Sequence, residues 1–96
     1  MIRHICMFTL KEDNKEDSIK EFITKAQSLN EINTVKRLEV VSNAKGTPDS
    51  NYDVALIVDF DTVEALDEYQ TSEIHLKFGA FVATVKEQRA CIDYEF

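Results

Sequence analysis

The 96-residue chain has no tryptophan, a single proline and two glycines, Gly46 and Gly79, which stand far apart. Isolated glycines cannot build a phosphate-cradling loop, and no GxSxG nucleophile turn is present. Cysteine is almost as scarce. Cys6 and Cys91 lack the CxxC spacing of a zinc ribbon or redox motif and are too few for a disulfide-dense scaffold. Both lie in apolar, strand-like runs and are expected to be buried, reduced thiols. Basic residues are outnumbered, 11 Lys and Arg against 18 Asp and Glu, for a formal net charge of −7. They are also scattered, so neither nucleic acid nor an anionic membrane is an expected partner. No apolar stretch approaches the roughly 20 residues needed to cross a bilayer. The opening MIRHICMFTL is too short, and too soon followed by charge, to be a signal peptide, so a cytoplasmic location is expected.

What is present reads as one domain over residues 1–96 with a single small core. Residues 2–10 alternate as a strand, with Ile2, His4, Cys6, Phe8 and Leu10 on one face. A polar stretch with Asn14 as N-cap leads into a helix carrying Ile19, Phe22, Ile23, Ala26 and Leu29. Residues 35–42 have β-branched character, NAKGTPDSN is the main loop, and YDVALIVDF alternates strongly enough to predict another strand. Asp61 followed by Glu64 reads as a capping-box-like start to a short helix ending near Tyr69. Thr71 and Ser72 start a longer helix with Ile74, Phe78, Phe81, Val82 and Val85 as its apolar stripe. RACIDYEF closes the chain as a strand.

This order predicts an α+β fold of the ferredoxin-like βαββαβ type, a four-stranded antiparallel sheet with its helices on one face. The opposite face would expose Ile5, Met7, Ala55 and Ile57 on a monomer, so a second copy is the expected cover, closing a dimeric α+β barrel. Asp53, Asp59 and Asp93 are expected on that face, available to Arg3 or Arg89 across the dimer.

The two histidines, His4 and His75, are the candidate proton carriers. Tyr69, six positions before His75, is the nearest candidate donor. His75 as base with Tyr69 as donor suits proton abstraction next to a carbonyl. The alternative is structural, with His75 bordering the core and Tyr69 packing as a half-buried aromatic. His4, on an apolar strand face, likewise reads either as a hydrogen-bonded core residue or as a pocket wall. Two histidines without clustered carboxylates give no expected metal site and no expected cofactor.

The opening IRHICMFTLKE, the YDVALIVDF strand, the EALDEYQTSEIHLKF segment and the closing CIDYEF together resemble the stress-responsive A/B barrel (Dabb) domain of the dimeric α+β barrel superfamily. The resemblance implies a homodimer with a small-molecule pocket between sheet and helices. It places Tyr69 and His75 as the acid/base pair and His4, Phe78 and Val54 as substrate-binding positions. Some members are polyketide cyclases that close a poly-β-keto chain by intramolecular aldol condensation without a cofactor. Val54 stands where such a cyclase has another histidine, Ala26 where a pocket tyrosine aligns, and Thr71-Ser72-Glu73 where the family has a His-Pro pair. The departures at Val54 and Ala26 favour a binding or stress-associated role for a small apolar or polyketide-like ligand, with the cyclase-like enzyme as the alternative.

Overall fold

A computed structural model describes all residues, 1–96. The chain runs through β1 (Ile2–Leu10), α1 (Lys15–Ala26), a short 3-10 turn (Gln27–Glu31), β2 (Arg37–Ser42), β3 (Val54–Phe60), α2 (Val63–Thr71), α3 (Glu73–Val85) and β4 (Lys86–Glu95). The strands form one antiparallel sheet in the order β2-β3-β1-β4. This is the expected ferredoxin-like α+β arrangement, with the central position held by the two most apolar strands. In β1 the residues alternate between buried and half-buried along the whole strand, as a sheet covered on one face requires.

The covered face carries Cys6, Phe8 and Leu10 from β1 and Val54, Leu56, Val58 and Phe60 from β3, all buried. Phe22, Ala26 and Leu29 pack on them from the α1 side, and Leu66, Tyr69, Phe78 and Val82 from α2 and α3. Aromatic rings tie the layers together: Phe8, Phe22 and Phe78 stand in sequence at centroid separations of 5.5 and 5.3 Å. The open face carries Ile5 opposite Ile57 and Met7 opposite Ala55, as the alternation predicts. Ile92, the partner of Ile5 on β4, is 61% exposed there, and Tyr94 and Phe96 extend the same apolar surface.

Several local expectations are corrected. Asn14 holds the N-cap position of α1 in a left-handed conformation (φ 56°) without a side-chain cap bond. Asparagine is among the few residues that adopt this conformation readily. The short helix α2 is capped by Thr62, whose hydroxyl accepts from the Ala65 amide, and not by Asp61. β2 starts two residues later than the pattern suggests. β4 begins directly at Lys86, because pairing with Leu10 past a register shift carries the ladder back to the end of α3. Gly46 occupies φ 88° in the loop between β2 and β3, where a side chain would be strained.

The three aspartates do not wait for a partner chain. Asp59 accepts two hydrogen bonds from the Arg3 guanidinium, at 2.7 and 2.9 Å. That fork holds the Asp59 carboxyl below its ordinary range and raises Arg3 further. Asp53 accepts from the Leu10 amide at 2.8 Å and lies 3.3 Å from Lys15. Asp93 lies on the helix side of the sheet altogether, since the β1–β4 register sets it opposite His4.

Candidate functional site

Ser72 organises the site. Its extended backbone (φ −65°, ψ 150°) ends α2 and begins α3. Its hydroxyl donates to the Tyr69 carbonyl at 2.9 Å and accepts from the His75 amide at 3.2 Å. The last turn of one helix and the first turn of the next are thereby locked, and the Tyr69 and His75 rings meet edge-on with centroids 4.7 Å apart. His4 reaches the same tyrosine from β1, at 6.2 Å. Three side chains distant in the sequence thus form one cluster between sheet and helices.

Beside it lies a cavity of about 150 Å³ whose walls are His4, Cys6, Leu56, His75 and Phe78, with Lys86 and Arg89 among its polar lining. His4 and Phe78 are buried, whereas Arg89 is exposed. Two expected members are missing from these walls. Val54 is a buried core residue opposite Phe8, and its accessible edge belongs to a separate groove of about 560 Å³ beside the β2–β3 loop. That groove has Tyr52 as its one titratable side chain, so it offers no acid/base pair. Tyr69 is fully buried behind the cavity wall, and not half-buried as the packing alternative has it.

Burial sets the protonation of the cluster. Desolvation lowers the His75 pKa, the nearby His4 lowers it further, and the Gln70 carbonyl opposes them. His75 is therefore a neutral imidazole near pH 7, and its Nδ1 is buried without a hydrogen-bond partner. Desolvation also raises the Tyr69 phenol, which stays protonated. Its hydroxyl has no partner either. A buried hydroxyl without a partner costs about 1–3 kcal/mol relative to one that is paired. Tyr69→Phe, which removes it without opening a cavity, is expected to leave stability unchanged or raise it by about 1 kcal/mol in urea unfolding. A loss above about 1 kcal/mol would contradict the unpaired hydroxyl.

His4 is held differently. Its Nδ1 lies 2.5 Å from Asp93 Oδ1. With the carboxylate accepting from Nδ1–H, Nε2 is the ring nitrogen left free of Asp93. Alternation alone does not reveal this partnership, because it carries no register between residues 89 positions apart. The cysteines are a second correction. Cys6 and Cys91 are direct register partners with Cα atoms 4.2 Å apart, and they are joined as a disulfide. Cys91 is exposed on the edge strand, so the expectation of two buried thiols fails.

The model of the Stress responsive A/B Barrel Domain, Dabb, matches residues 2–96. The chain belongs to the Dabb family. Among solved structures, it is similar to a dimeric protein of ferredoxin-like fold from Bacteroides fragilis, with 28% identity, TM-score 0.82, and coverage of 99% of this chain and 95% of the other. A dimeric ferredoxin-like protein from Thermobifida fusca shares 25% identity at TM-score 0.88, covering 99% of this chain and 90% of its own. A Dabb family protein from Mesorhizobium loti shares 27% identity at TM-score 0.79, with 99% and 95% covered. No curated protein matches this Dabb chain. None of its helices is long and apolar enough to cross a membrane.

Proposed function

We propose that this Dabb chain, folded as one domain over residues 1–96, is a cytoplasmic homodimer that binds a small, mainly apolar molecule carrying an oxygen acceptor. The role is binding or stress-associated and not catalytic. The observation that carries this reading is the cavity itself: two imidazole rings, Gln70, Lys86 and Arg89 border a space whose other walls are Cys6, Leu56, Phe78 and similar apolar groups. Such a mixture of apolar wall and a few polar groups is what orients a bound small molecule. The open sheet face and the two dimeric relatives support the homodimer.

Size favours a small ligand. A volume of about 150 Å³ matches a benzene-sized guest, well below the roughly 300–1,000 Å³ that encloses a larger organic molecule. Phenol and acetophenone are therefore suitable probes. Either is expected to raise the melting temperature in a saturable, concentration-dependent way, as any ligand selective for the folded state does. No shift with either probe at millimolar concentration would remove the reading.

The second reading, a cofactor-independent cyclase-like enzyme, draws its support from the Asp93-oriented His4 and the neutral His75 on one cavity. It is distinguished by α-proton exchange of acetophenone in heavy water, followed by NMR. Binding without exchange supports the non-catalytic role, whereas exchange that disappears in His75→Ala would favour the enzyme.

A further inference from the structure

Reduction of the Cys6–Cys91 bond would leave two thiol groups beside a histidine. Ligand atoms of His4, Cys6 and Cys91 all lie within 4.8 Å of one another. We propose that, with this bond reduced, His4, Cys6 and Cys91 form a three-ligand site for zinc, with its fourth position open to the cavity. The two wall residues of that cavity, His4 and Cys6, sit on the same face of β1, and Cys91 faces Cys6 across the ladder.

The donor set fits the cation. Two thiolates and one imidazole around a four-coordinate ion form a recurring zinc arrangement when one position is left for an exogenous molecule. Asp93 supplies the outer contact that such a ligand histidine usually has, a carboxylate on Nδ1 that fixes the ring and leaves Nε2 to coordinate. Two thiolates and the Asp93 carboxylate also outweigh the positive charges of Lys86 and Arg89 on the cavity wall. Access is provided by the edge strand, where Cys91 is exposed.

The chemistry balances in two steps. A dithiol reductant delivers two electrons and two protons to the sulfurs, breaking the S–S bond, and leaves as its own cyclic disulfide. Zinc then replaces the two thiol protons, which pass to the solvent. In the oxidised protein the sulfurs are spent on each other, so the site exists in one redox state only.

The test uses the whole chain, reduced or oxidised, titrated with Zn²⁺ against a colorimetric chelator and with Co²⁺ as a spectroscopic stand-in. One zinc per chain in the reduced protein, none in the oxidised protein, and a thiolate-to-cobalt charge-transfer band are expected. Cys91→Ser should weaken zinc affinity at least tenfold. Asp93→Asn, a change at a positioning residue, should weaken it about 10–100-fold while the cobalt–thiolate band persists. Equal binding by both redox forms, unchanged affinity in Cys91→Ser, or no thiolate band would overturn the proposal. Should Cys91→Ser fail to fold by circular dichroism, alkylation of the reduced wild type decides. Protection of Cys91 by Zn²⁺ supports the site, and equal alkylation with and without Zn²⁺ overturns it.

Discussion

Ile57→Asp is expected to turn a dimer into a monomer or an unfolded chain. Ile57 lies mid-strand on the open face, directly across from Ile5, with Ile92 beyond it on β4. Asp59, two residues along the same face, is tolerated because the Arg3 guanidinium accompanies it in a bidentate pair. A carboxylate at position 57 would have no such partner. Sealing an unpaired charge between two sheets costs several kcal/mol, enough to outweigh the association of a small apolar interface. Sedimentation at micromolar concentration should show the wild type at twice the 11.0 kDa chain mass and the variant at the chain mass or aggregated. A wild type sedimenting only as the single chain would contradict the dimer.

His75→Ala is expected to leave the dimer folded while removing at least tenfold of the affinity for phenol or acetophenone. His75 is half-buried, and its Nδ1 has no hydrogen-bond partner in the protein, so removing the ring costs the fold its edge contact with Tyr69 but no Nδ1 hydrogen bond. A ligand loses more, since His75 is one of the polar groups that line the cavity. Thermal unfolding with and without the probe separates the two effects. A drop of several kcal/mol in stability with probe binding unchanged would make His75 a structural residue and the cavity an ordinary packing defect.

Periodicity made much of this legible. The alternation in β1 and β3 placed His4 among apolar neighbours and separated the two sheet faces. The Ser72 start signal located the helix break that sets Tyr69 against His75. What periodicity does not contain is register and depth. Asp93 and Asp59 look alike as acidic residues on alternating strands, yet pairing of Ile92 with Ile5 sends Asp93 to the helix side, onto His4. The same pairing brings Cys91 onto Cys6 from 85 residues away, a meeting that no local pattern encodes. Val54 illustrates depth: it lies on the expected face, but it is buried in the core opposite Phe8 and borders the groove beside the β2–β3 loop instead of the cavity. Thr62 in place of Asp61 as the cap of α2 is a contest between neighbouring cap formers, which backbone geometry decides.

The most direct test of the central claim is NMR of the labelled protein titrated with phenol, reading the histidine ring and aliphatic methyl signals together. Saturable shifts are expected at His4, His75, Leu56 and Val82, which line the cavity, with Ile5, Ile57 and Ile92 on the open face unmoved. Shifts confined to the open-face isoleucines, or no saturable shift at either histidine, would contradict it.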